Sequence, residues 1–276
     1  MGKEYQWPGG CPAAAMVTVE LDNEFIWAAM GEKFCTPKTL SVGTYGILRG
    51  LDRILEALDH HGIRATFFVP GKAAILYPEA VQKVAGLGHE IALHGYRHEN
   101  FGELEPGQQA DILEKGIRAL TDCTGKRPAG FRLPEGNCTP ETRRLLADYG
   151  FLYDSSFFDH DLPYQVTWED GKELVEIPMR WETQDFPYLA YGYGFPRGKS
   201  RIPVYDQVLE NWIDEWEAYY EMGLCYGIKF DPQVTGTPGR IFMVEEILGR
   251  IRETDAWTAT GEELAGHART HHTRER

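Results

Sequence analysis

Two hydrophobic periods alternate along this chain. Residues 15–21, 64–70, 89–94, 129–134, 174–178 and 224–230 are short apolar or alternating runs, the pattern of β-strands. Between them, residues 45–62 place Ile47, Leu48, Leu51, Ile54, Leu55 and Leu58 at three- and four-residue spacing, which predicts a helix with one buried face that ends at Gly62. Thr139, Pro140 and Gly150 read as N-cap, first-turn proline and stop of another helix, and residues 204–223 and 239–254 repeat the design. Strand–helix alternation predicts an α/β fold with a parallel sheet, and at 276 residues a closed or nearly closed (β/α) barrel is the expected architecture.

No linker or low-complexity tract interrupts the pattern, so residues 1–276 are expected to form a single domain with its core over about 7–267 and a mobile tail over 268–276. Residues 154–203 depart from the rhythm, being rich in aromatic residues, Pro and Gly. In a barrel, such a stretch is expected to be a loop roofing the active site, or else a surface excursion.

Charge narrows the partners. Lys+Arg 28 against Asp+Glu 42 gives a formal net charge of −14 with no long basic run, which argues against nucleic acid and anionic membranes. No stretch reads as a signal peptide or reaches about twenty unbroken apolar residues, so a soluble, cytoplasmic protein is expected. The 5 cysteines are scattered without a CxxC pair, which fits free thiols in a reducing compartment.

The candidate chemistry lies in residues 88–100, GHEIALHGYRHEN. His94 falls at a predicted strand end and Gly95 opens a turn, so one helical turn would aim His94 and His98 the same way. Such a pair suits a metal ion and also a solvated turn. His89 reads as a strand-edge residue, and the pair His267 and His271, in the tail, as accidental. A third ligand would be a carboxylate from another strand end. The run VTVELDNEF offers Glu20, Asp22 and Glu24, spaced by two on one strand face. Three acids there repel one another in an apolar core, a cost that a divalent cation relieves.

These motifs, in order, resemble those of the polysaccharide deacetylase (NodB-homology) family, and more closely its cyclic-amidase branch of allantoinase-, imidase- and peptidoglycan-deacetylase-like proteins. The resemblance runs from about Trp7 to His267. It implies a distorted, seven-stranded single-domain (β/α) barrel. In VTVELDNEF it implies Glu20 as general base and Asp22 as metal ligand, and in HGYRHE it implies His94 and His98 as the other ligands. In GFRLPEGNCTPET, Arg132 would orient the base. Asp161, Pro163 and Tyr164 match a D-x-P-aromatic element, and the run FDPQVTGTPGR and the closing WTATGEELAGH complete the series.

Two positions depart from the family pattern. Glu20 stands where aspartate is usual, which moves the carboxylate by about a bond length, and Asp231 stands where the family has the histidine that protonates the leaving group. An aspartate at its reference pKa is ionised at neutral pH, so Asp231 is expected to need a neighbouring acid, Asp161, with which to share a proton.

By resemblance the chain is a metal-dependent hydrolase of non-peptide carbon–nitrogen bonds holding one divalent metal, with Zn the first choice and Mn, Co, Ni or Fe as alternatives. The expected substrate is a small cyclic amide, imide or ureide, bound by Trp27, Glu24, Tyr164 and Tyr191, with Tyr193 as a further aromatic. The alternatives are N-deacetylation of an amino sugar or peptidoglycan fragment and, because of Glu20 and Asp231, a diverged metal-binding protein or non-hydrolytic lyase or isomerase. The branch also implies a homo-oligomer, possibly a tetramer.

Overall fold

The computed structural model describes residues 5–134, 137–190 and 203–271. Its nine strands are β1 (Ala14–Glu20), β2 (Thr66–Val69), β3 (Glu90–Leu93), β4 (Gly130–Phe131), β5 (Tyr153–Asp154), β6 (Tyr164–Thr167), β7 (Glu173–Glu176), β8 (Cys225–Phe230) and β9 (Trp257–Thr258). Eight follow the order β6-β7-β5-β4-β3-β2-β1-β8, and β9 pairs with the start of β1. Every pairing is parallel except β6 with β7. The result is the expected α/β barrel type as a curled, mixed sheet, with nine strands in place of seven. Beyond the edge of β8, Gln184 makes one parallel bridge to Lys229.

Three strands, β5, β6 and β9, lie outside the six runs of the hydrophobic pattern, each for a physical reason. β6 lies in the stretch expected to be a roof loop, where its residues pair in antiparallel register with β7, Tyr164 opposite Glu176. β5 and β9 are two residues long, too short to leave a periodic signal.

Alternation along β1 creates the two sides of the sheet. Ala15, Val17, Val19 and Leu21 point outward into the large core shared with the helices, whereas Ala14 and Met16 join a smaller inner core. Thr18 and Glu20 continue that inner face, and Asp22 lies just beyond the strand end; all three are buried. A strand buried on both sides reads as nearly continuous apolar sequence, so inward carboxylates at its carboxyl end stand out.

The helices follow the predicted stretches with one instructive shift. Pro37–Tyr45, Gly46–Gly50 and Leu51–His60 form one helical run whose middle segment is a π-turn. The wider turn rotates the apolar face, so Leu48, expected inside, is 57% exposed. Gly46 and Gly50 allow the run to press against the loop after β8: a Cβ on Gly50 would lie 2.0 Å from the Pro232 carbonyl oxygen.

Residues 268–271, expected in the tail, belong to the helix Gly261–His271, and Ala268 is buried in the inner core because this helix packs against β5, β6 and β7. His267 is likewise integral: Nε2 lies 2.7 Å from the Gln6 carbonyl and the ring stacks near Trp7. Among the described residues no helix is long and apolar enough to cross a membrane, and all five cysteines are free.

His89 sits at the strand edge as expected. Its Nδ1 accepts the Ala65 N–H at 3.1 Å, and burial followed by the Arg64 charge pushes its pKa down to about 4.

Gly130 illustrates how tightly the inner layer is filled. A Cβ there would lie 1.9 Å from the Tyr153 ring, and a Cβ on Gly261 would strike the same ring from its own side. The Tyr153 hydroxyl donates to Glu90, which fixes the ring between them. Gly130→Ala is therefore expected to cost about 1–3 kcal/mol through overpacking, read as a lowered urea midpoint with unchanged slope. An unaltered midpoint would show that the ring yields.

Candidate functional site

The strand ends converge on three side chains. Asp22 follows β1, His94 follows β3, and His98 is placed by the turn between them. That turn is not helical: Gly95 takes a left-handed φ of 66°, Glu99 accepts the N–H groups of Tyr96 and Arg97 at 2.8 Å each, and His98 itself has φ 68°. A Cβ on Gly95 would come within 2.8 Å of Pro134 and 2.9 Å of Glu99, so only glycine fits. The two imidazoles meet edge to face at 5.4 Å, with Nε2 of His94 and of His98 each 3.3 Å from a different oxygen of Asp22.

This trio fits a metal ion. Ligands at about 2.1 Å in tetrahedral or octahedral arrangement stand about 3.0–3.4 Å apart, the spacing seen here. His94 donates Nδ1–H to the Arg132 carbonyl at 2.9 Å, leaving Nε2 as the lone-pair nitrogen facing Asp22. Burial also pushes the His94 pKa down, keeping the ligand form neutral. Both Asp22 oxygens and His94 Nε2 are buried without a hydrogen-bond partner. Such orphaned atoms are costly unless a cation completes them. A second trio, His60, His61 and Glu245, has metal-like spacing but lies at the surface.

Beside the trio lies a network of charge. Arg132 after β4 donates Nε–H to the Ser155 carbonyl at 2.8 Å, Nη1–H to Thr18 at 3.0 Å and to Glu20 Oε1 at 3.3 Å, and Nη2–H to Ser155 Oγ at 2.9 Å; the guanidinium stacks 3.9 Å from the Phe68 ring centre. Glu20 Oε2 accepts from Lys229 Nζ at 2.9 Å. Burial opposes the Glu20 charge, but the cations Lys229 and Arg132 outweigh it and hold its pKa at about 2.

The expected partnership of Asp161 with Asp231 does not form. The Asp161 carbonyl accepts the N–H of Cys225, the first residue of β8, and Asp161 Oδ1 accepts from Tyr219. Asp231 follows the last residue of β8, so six residues of strand, about 20 Å, separate them. The acid beside Asp231 is Asp185, whose Oδ2 accepts the Asp231 N–H at 2.7 Å and the Thr235 hydroxyl at 2.8 Å. Burial pushes the Asp185 pKa up to about 6, and burial, Asp185 and Asp22 push that of Asp231 well above the usual carboxylate range. Asp185 gave no sequence signal, since it lies in an irregular stretch. Lys229 was also missed, although a signal was there: it is the one charge inside LCYGIKF, a run otherwise apolar enough for a buried strand.

A cleft of about 250 Å³ opens onto the network, walled by Glu20, Ile26, Met30, His98, Arg132, Leu133, Pro134, Ser155, Ser156, Phe158, Met179, Gln184, Phe186, Pro187 and Lys229. The proposed substrate contacts fall elsewhere. Trp27 is buried and donates Nε1–H to Gln233 at 2.6 Å, so it braces the loop after Asp231. Glu24 accepts from Tyr77 at 2.9 Å, because Asn23 at φ 52° ends the strand alternation before it. Tyr164 points at Asp159 from β6. Tyr191 and Tyr193 lie outside the described residues. Phe158, 49% exposed, instead stacks on the exposed Trp181 at 6.0 Å and forms an aromatic rim.

Comparison with known proteins places the fold and family of the chain. The family model for polysaccharide deacetylase matches residues 45–153. A Mycobacterium smegmatis structure assigned to the polysaccharide deacetylases shares 33% identity and superposes with a TM-score of 0.91, covering 98% of this chain and 97% of that one. The peptidoglycan deacetylase of Helicobacter pylori is 28% identical over 260 residues, 85% of this chain and 88% of its own length. The structure of the allantoinase Puue is 25% identical, with a TM-score of 0.85, covering 100% of this chain and 96% of that one. The chain belongs to the polysaccharide deacetylase family. It is a hydrolase of that type, acting on amide bonds.

A second carboxylate pair supports the cleft wall. Asp154 accepts from Ser156, and Glu176 Oε1 accepts the N–H groups of Ser156 and Phe157 at 3.0 Å. Burial pushes the Asp154 pKa up to about 6. The folded chain therefore binds more protons than the unfolded one between about pH 4 and 6, and stability falls as pH rises through that window. Asp154→Asn is expected to remove this residue's share of the fall and raise stability above pH 6 by up to about 3 kcal/mol, measured as urea midpoints from pH 4 to 8. Parallel curves for the two proteins would contradict this assignment.

Proposed function

We infer that the chain opens a small cyclic amide, imide or ureide by hydrolysis, with one divalent cation, Zn²⁺ by choice of ligands, held by Asp22, His94 and His98. The observation that carries the reading is the buried trio, with both Asp22 oxygens and His94 Nε2 orphaned, beside a cleft of about 250 Å³ that His98 and Glu20 help to wall, a volume suited to one small ring. Whole-chain similarity to an allantoinase supports the same substrate class. When bound, the cation would acidify water and polarise the substrate carbonyl.

The chain's own residues supply the rest. Glu20, ionised and held at both oxygens by Arg132 and Lys229, takes the proton of the attacking water. Arg132 fixes that carboxylate relative to Thr18 and Ser155, so the base has little freedom to drift. Ile26, Met30, Phe186 and Pro187 exclude bulk water along one wall.

N-deacetylation of an amino sugar has its own support: the rim stack of Phe158 on Trp181 offers a flat face to a pyranose ring, and a curated relative is a peptidoglycan deacetylase.

His94→Ala is expected to bring bound metal from one ion per chain to near zero by elemental analysis and to lower turnover by about 10³-fold or more. Mass spectrometry of the metal-loaded chain with cyclic imides, ureides and N-acetylated sugars separates the readings. Gain of one water by a ring compound supports ring opening, acetate release supports deacetylation, and turnover that survives metal loss would refute both.

A further inference from the structure

We propose that Lys229, rather than Asp231, carries the proton that leaves with the cleaved nitrogen. The inference rests on the hydrolytic reading above. Its basis is position. Asp231 is 1% exposed and forms no part of the cleft wall, and its oxygens accept from Gln233 N at 3.2 Å and Gln233 Nε2 at 3.3 Å. Trp27 Nε1–H occupies Gln233 Oε1, which commits the amide nitrogen of Gln233 to the Asp231 side. Lys229 is 4% exposed yet lies on the cleft wall beside His98 and Glu20, with Nζ 2.9 Å from the base.

The cations on the base point the same way. Glu20 is held at Oε1 by Arg132 and at Oε2 by Lys229, so these are the two cations placed to give up a proton beside the base. Lys229 then bears the transferable proton at the cleft, since arginine holds its own too firmly. Its facing groups are Glu20 from β1, Asp185 from the segment before the helix Phe186–Leu189, Asp231 from its own strand end and the Phe186 ring at 5.6 Å. Burial disfavours its charge, and the three carboxylates more than compensate, so it starts protonated.

The step balances. Water adds to the carbonyl carbon as Glu20 takes one of its protons. The carbon–nitrogen bond then breaks, its electron pair goes to nitrogen, and nitrogen takes a proton from Lys229 Nζ. Glu20 returns the water's proton across the 2.9 Å hydrogen bond, and both groups are restored. Neutralising Glu20 removes one carboxylate that holds the Lys229 charge, so the lysine becomes a better donor when the nitrogen needs it.

The test uses metal-loaded wild-type chain, Lys229→Arg, Lys229→Met and Asp231→Asn on two substrates: a cyclic imide, and 4-nitrophenyl acetate, whose leaving phenolate needs no proton. Lys229→Arg keeps a cation beside Glu20 and so protects the fold. It is expected to lose about 100-fold or more in kcat on the imide and less than about 10-fold on the ester. Lys229→Met should show the same split if it folds, and Asp231→Asn none. Equal losses on both substrates, or imide turnover retained in Lys229→Arg, would overturn the proposal. NMR of the Lys229 Cε provides a readout apart from turnover: the wild-type ammonium should titrate above the ordinary lysine range because Glu20 holds its charge, and in Glu20→Gln it should titrate lower than in wild type. If wild type turns over neither substrate, the hydrolytic reading fails. The NMR titration then decides for Lys229, and a titration unmoved by Glu20→Gln overturns its coupling to the base.

Discussion

The Arg132 guanidinium is the tie on which the interior depends. From its place after β4 it binds Thr18 and Glu20 on β1, stacks on Phe68 of β2, and closes onto Ser155 beyond β5, while its carbonyl receives His94 from the end of β3. Five neighbouring strand ends are thereby set by one planar cation with fixed donor directions. A lysine would match the charge but not the fork. Moving this residue would displace the base, the histidine tautomer and the cleft wall together.

Much of the site can be read in the sequence because β1 obeys a simple rule. A strand buried on both faces is apolar throughout, so Glu20 and Asp22 at its carboxyl end must answer to something inside. Gly95 and Glu99 enclose His98 in a turn whose residues are local in sequence, and a local motif leaves a local signal. The rule fails once the strand does: Asn23 turns left-handed, and Glu24 no longer shares the face of Glu20 and Asp22.

Asp161 shows the other limit. The family resemblance pairs it with Asp231, but a matched motif says nothing about which end of β8 its loop returns to in this chain. Asp185 reaches Asp231 from an irregular stretch, where neither period applies. The extra strands escaped notice for a related reason, since two-residue strands take their conformation from neighbours already in the sheet. Lys229 was missed although the sequence marks it, as a lone charge in an otherwise apolar run.

The ion pair between Glu20 and Lys229 joins residues 209 positions apart into one heritable unit. Replacing the lysine alone strands a buried carboxylate, and shortening the glutamate alone draws its charge away from the ammonium. Either single step weakens that buried pair, by less where the remaining member keeps another partner, as Glu20 does with Arg132. A lineage crossing between this arrangement and one with aspartate on β1 therefore crosses more easily when the two positions change together.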